Sequence, residues 1–148
     1  MHQQLKESLW AYIVHNNPEL MFNLQEDYSV TKYLDDKVSN VMPKVLQLLE
    51  QDKPGHVILE LCMSQLTEDL KPSKYHYIKK ILKQEFELFY ERFKEKGILT
   101  YEAINLIEHC EPVFKELHFS IDSQENSLIW AGVTGATAEY LKQYHSKH

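Results

Sequence analysis

Arginine is nearly missing from this chain: among 148 residues and 16 basic side chains there is one, Arg92. Its planar guanidinium is the group that grips phosphate in a bidentate way, and lysine is no substitute there. The formal net charge is −6. Nucleic-acid affinity rests on matching phosphates with basic groups, so this balance makes a nucleic-acid partner an unlikely expectation. Glycine is also scarce, at Gly55, Gly97, Gly132 and Gly135. Four scattered glycines build neither a phosphate-cradling P-loop nor a G-x-G-x-x-G turn, nor the many tight turns of an all-β fold. The two cysteines, Cys62 and Cys110, belong to no C-x-x-C. They read as buried, reduced thiols, since a disulfide would need an oxidising compartment. No apolar run nears the roughly 20 residues of a membrane span, and the longest early one, Leu9 to Val14, is short for an export signal. The expectation is a cytoplasmic protein with no membrane contact.

What the chain has is helical periodicity. Leu5, Leu9, Tyr12 and Ile13 mark a helix from about Gln3 to His15, stopped by Asn16-Asn17-Pro18. A short turn follows from Glu19 to Leu24. Ser29 stands as a cap before Val30, Leu34, Val38, Val41 and Val45, a stripe in which Pro43 is expected to kink or restart the helix. Val57, Ile58, Leu61, Cys62 and Leu66 mark the next helix. The clearest element is one long helix from Ser73 to Lys96, striped by Tyr75, Ile78, Leu82, Phe86, Phe89 and Phe93 and stopped at Gly97. Thr100 is the expected cap of a helix to Cys110, with Pro112 interrupting it. A last helix runs from about Ser127 to Tyr144. The expected fold is all-α: a compact bundle of about five to six helices. It is a single domain over 1–148, with the tail 145–148 frayed. No sequence repeat or linker composition divides it.

Chemical motifs are few. Of eight histidines, the only pair at helical ligand spacing is His145 with His148, in the tail. Glu108-His109-Cys110-Glu111 is contiguous, and neighbours on a helix point about 100° apart, so the four do not converge on one ion. Neither a G-x-S-x-G elbow nor a reactive-cysteine signature occurs. No metal, cofactor or catalytic residue is expected; an enzyme with an unrecognised carboxylate or histidine site is the third reading.

Two segments hold candidate contacts. Lys71, Lys74, Lys79, Lys80 and Lys83 lie in a stretch without an acid, interleaved with Tyr75, His76 and Tyr77. The segment reads either as the solvated face of an amphipathic helix or as a patch for nucleic acid or an acidic partner. In the last helix, Ala131, Gly132, Gly135 and Ala136 are small. An interior glycine costs roughly 0.5–1 kcal/mol relative to alanine, so close packing inside the domain or against a partner should offset it. Trp10 stands beside its helix stripe and is expected at an exposed contact.

Several pieces carry a resemblance: Leu9-x-x-Tyr12 followed by Asn17-Pro18-Glu19-Leu20, Ser73-Lys74-Tyr75 leading to Gln84-Glu85-Phe86, and Thr134-Gly135-Ala136 with Tyr140-Leu141. In these the chain resembles a family of small helical proteins of unknown function from anaerobic bacteria, often encoded in conjugative transposons. The resemblance implies a mobile-element setting and brings no catalytic residues. The expected function is a non-enzymatic accessory or protein-interaction domain, with an unknown protein partner or a second copy of the chain. The alternative is a nucleic-acid-associated factor using Lys71 to Lys83. On this reading Phe86 is a core residue, and Phe86→Ala should lower stability by about 3–5 kcal/mol in denaturant unfolding.

Overall fold

In the computed structural model, residues 1–147 are described, with side chains through Tyr144. The expectations for the tail 145–148, the His145/His148 pair among them, lie outside the described side chains. Helices make up all the regular structure of the described residues: α1 (His2–Asn16), α2 (Pro18–Glu26), α3 (Val30–Glu50), α4 (Gly55–Leu66), a 3-10 turn (Glu68–Leu70), α5 (Lys74–Glu85), α6 (Glu87–Glu95), α7 (Leu99–Glu116) and α8 (Ser127–Lys147). The fold is all-α, with eight α-helices where the sequence suggests about five to six. None is long and apolar enough to cross a membrane.

The chain divides into two compact units, Met1–Lys71 and Pro72–His148. In the first, α3 touches α1, α2 and α4. Its stripe Leu34, Val38, Val41, Val45 and Leu48 is buried with Leu5, Leu9 and Ile13 of α1 and Ile58, Cys62 and Leu66 of α4. Trp10 packs half-buried against this cluster rather than standing free at the surface. In the second unit, α7 touches α5, α6 and α8. Here Ala103, Leu106, Ile107, Cys110 and Phe114 are buried with Ile78, Ile81 and Leu82 of α5, Phe93 of α6, and Ile129, Val133 and Leu141 of α8.

The two units pass through the same backbone events. α1 and α2 meet at Asn17 (φ −135, ψ 58), and α5 and α6 meet at Phe86 (φ −138, ψ 51). A left-handed residue ends the second helix of each, Tyr28 (φ 55) and Gly97 (φ 71). A proline lies inside each third helix, Pro43 and Pro112. The shift from Asn17 to Phe86 is the shift from Tyr28 to Gly97 and from Pro43 to Pro112. In that register buried residue meets buried residue: Leu9 with Ile78, Ile13 with Leu82, Leu24 with Phe93, Val38 with Ile107, Val41 with Cys110 and Val45 with Phe114. After the third helix, left-handed Asp52 (φ 56) and His118 (φ 55) turn the chain toward α4 and α8. The repeat lies in the backbone and in burial; matched positions seldom share a residue type, which hides it in the sequence.

Three expectations are corrected. The long helix Ser73–Lys96 is two helices, broken at Phe86, which carries no glycine or proline signal; packing against α7 overrides local propensity. Phe86 is therefore only half-buried, and the large truncation cost falls on Phe93, which is 0% exposed. Pro112 does not interrupt α7, just as Pro43 leaves α3 continuous. A proline ring removes one helical hydrogen bond, and the carbonyls it frees belong to Ser39 and Glu108, both exposed residues. Thr100 lies inside α7, whose N-cap is Ile98, and its hydroxyl instead bonds the Tyr75 hydroxyl at 3.0 Å.

The left-handed turns yield a direct test. Tyr28 is 96% exposed and packs on little, yet holds a φ that L-residues disfavour by about 1–2 kcal/mol. Tyr28→Gly should raise stability by up to about 1 kcal/mol, and Gly97→Ala should lower it by about as much, both read from urea midpoints at constant slope.

Candidate functional site

The fold gives the lysines of the basic segment different surroundings. Lys71 ends the first unit, and the other four lysines belong to the second. Ser73 caps α5 by accepting from the His76 N–H at 3.1 Å. This sets the register that buries Tyr75, Ile78 and Leu82. Lys74 then reaches α7. Its Nζ donates to both carboxylate oxygens of Glu111, at 3.0 and 3.1 Å, and sits 5.4 Å from the centroid of the Phe114 ring. Lys79 Nζ lies 4.9 Å from the centroid of the Tyr75 ring. Lys80 and Lys83 are exposed. The interleaved tyrosines are core residues, not a stacking platform. Tyr75 and Tyr77 are each 8% exposed. The Tyr77 ring meets Phe114, Phe119 and Trp130 at centroid distances of 5.9, 4.8 and 5.6 Å. Burial, with a smaller contribution from Glu125, pushes the Tyr77 phenol up to about 12.

The small residues of α8 separate into two sets. Gly132 faces α7: a Cβ built there meets Val113 Cγ1 at 3.0 Å and Leu117 Cδ1 at 3.3 Å. Ala136 is half-buried against the core of the second unit. Ala131 and Gly135 point outward and are exposed, and a Cβ on Gly135 meets nothing within 4 Å. With Ala138 and Leu128, the latter 69% exposed, they form an outer stripe at helical spacing. Asn126 starts this helix, its Oδ1 accepting from the Leu128 N–H at 2.7 Å.

A third cluster escapes motif reading. Glu102 is a carboxylate only 4% exposed, and its Oε2 accepts from the Tyr140 hydroxyl at 2.8 Å. Asn105 also hydrogen-bonds Tyr140, and the His109 ring lies 5.5 Å from the Tyr140 ring. Residues 102, 105 and 109 recur at i, i+3 and i+7 on α7, so one face meets α8. The signal was an acid within the apolar stripe of α7. Burial first, then the bond to Glu102, raises the Tyr140 pKa. It stays a neutral donor, suited to clamping α7 to α8 and unsuited to acting as a base. Burial likewise raises the thiol pKa of Cys62 and of Cys110, which keeps both in the unreactive protonated form. Cys110 lies 3.8 Å from the Thr137 hydroxyl. Among the described residues no group of three or more His, Cys, Asp or Glu side chains is placed to hold a metal ion.

The two glycines of α8 should respond unequally to the same change. Gly135→Ala should stabilise the chain by roughly 0.5–1 kcal/mol, because a methyl there has room and the unfolded state loses freedom. Gly132→Ala should gain less or destabilise, since Val113 and Leu117 must give way. Thermal melts of both variants beside the parent chain decide this, and equal shifts would contradict the packing. In comparisons with known proteins, no family model, no curated protein and no solved structure matches this chain.

Proposed function

We propose that this protein is a non-enzymatic accessory or protein-interaction domain of the cytoplasm, acting in a mobile-element setting. The observation that carries the reading is Gly135. Gly132 has its cost offset by the close approach of α7, whereas Gly135 sits mid-helix with open space around it. Among the described residues nothing lies within 4 Å of a Cβ placed there to account for a glycine. A helix from a partner chain lying along Leu128, Ala131, Gly135 and Ala138 would, because small residues let two backbones approach closely. The raised pKa values of both cysteine thiols and of Tyr77 and Tyr140 support the non-enzymatic part, since activated nucleophiles and bases need shifts toward neutrality.

The alternative, nucleic-acid association through Lys71, Lys74, Lys79, Lys80 and Lys83, loses support from the ties made by Lys74. Even if all five lysines reached phosphates, the salt slope would be only about −4.5. Fluorescence anisotropy with labelled single- and double-stranded DNA and RNA, at about 50 and 150 mM salt, separates the two readings. The expected result is weak binding that disappears at the higher salt. Sub-micromolar affinity at the higher salt, lost in a folded Lys79→Glu/Lys80→Glu/Lys83→Glu variant, would put the nucleic-acid reading first.

A further inference from the structure

The break between α5 and α6 differs from its counterpart between α1 and α2 in the residue that follows it. Asn17 is followed by Pro18, which stands at the first position of α2. A proline there removes no helical hydrogen bond, and it keeps the preceding residue out of the α region. The first break is therefore latched by covalent structure. Phe86 adopts nearly the same backbone angles, but Glu87 follows it, and Gln84-Glu85-Phe86-Glu87-Leu88 contains no glycine, proline or β-branched residue. The apolar stripe Leu82, Phe86, Phe89 and Phe93 continues across the break at i, i+4, i+7 and i+11, as one uninterrupted helix would present it.

We propose that Phe86 is an unlatched hinge. At this point α5 and α6 can join into one continuous helix, and a second copy of this chain can then exchange α5 with the first. Straightening gives partners to the last carbonyls of α5 and the first N–H groups of α6, which a break leaves without helical partners. Within one chain, straightening pulls α5 away from the rest of its unit. That separates Ile78, Ile81 and Leu82 from the core, Lys74 from Glu111, Tyr75 from Thr100, and Tyr77 from Phe114, Phe119 and Trp130. In a pair of chains, α5 of each copy enters the place left by α5 of the other, and every one of these contacts is remade. The occupant of the vacated site is fixed by shape and chemistry, because it is the same helix. This exchange is independent of the outer stripe of α8 and survives the failure of that reading.

The test refolds the full chain at about millimolar and at about micromolar concentration, then measures mass by light scattering after size exclusion. The expected result is a dimer that forms at the high concentration and persists for hours after dilution, because its release requires unfolding of the second unit. Glu87→Pro places in the second unit the latch of the first. Glu87 is exposed in the first turn of α6, so the monomer should keep its melting temperature while the dimer fraction falls at least tenfold. Phe86→Ala, which favours continuous helix, should raise the dimer fraction. A chain that is monomeric after refolding at both concentrations overturns the proposal. So does a dimer untouched by Glu87→Pro, or a Glu87→Pro chain that fails to fold, since the last would mean that the helix runs on through position 87.

Discussion

Each unit is built upon the buried stripe of its third helix. α3 and α7 each touch the other three helices of their own unit, so the positions of those helices are set by which faces of α3 and α7 are apolar. Val38, Val41 and Val45 do this in one unit, and Ile107, Cys110 and Phe114 do it in the other. Volumes differ at the matched positions, and the partners adjust: the phenyl of Phe93 stands where the first unit has Leu24. A close-packed interior tolerates such exchanges when volume lost on one side is supplied on another. Pro43 and Pro112 fall on the exposed side of the same helices, away from the buried stripe. The two constraints together explain how the backbone course repeats while the sequence does not.

Much of this was legible in the residues. The apolar stripes of α1 and α3 and the stops at Asn17-Pro18 and Gly97 were visible because each rests on local chemistry: periodicity, a ring that fixes φ, a residue that accepts positive φ. What escaped were the features decided by contacts distant in sequence. Phe86 interrupts a helix that local preference would continue. The prolines of α3 and α7 were read as breaks because a sequence does not show that Pro43 and Pro112, with the residues whose carbonyls they free, Ser39 and Glu108, lie on an exposed face. Tyr28, Asp52 and His118 hold left-handed turns with no glycine to announce them.

The candidate contacts were legible in the same proportion. The basic stretch from Lys71 to Lys83 and the small residues of α8 were both visible as composition, but composition does not say where a side chain goes. Lys74 is spent on Glu111, and the tyrosines beside it are interior. Of the small residues, Gly132 and Ala136 belong to packing, while Ala131 and Gly135 are exposed. The Glu102–Tyr140 pair went unseen because an isolated acid in an apolar stripe gains meaning only when a partner on another helix is known.

That pair also has a counterpart. In the first unit Lys37 of α3 donates to Asp69, just after α4, at 3.0 Å, and its ammonium lies 5.8 Å from the centroid of the Tyr33 ring. Tyr33 stands where the repeat register places Glu102. Each unit ties its third helix to the chain beyond it through a polar link at a different place in the register, ammonium to carboxylate from Lys37 in one and phenol to carboxylate at Glu102 in the other. A site that performed a reaction would demand one particular set of groups at one particular protonation state. A clamp demands only a donor and an acceptor within reach. Glu102–Tyr140 and Lys37–Asp69 each meet that lesser demand, a donor and an acceptor at 2.8 and 3.0 Å that hold the third helix of each unit to the chain that follows it.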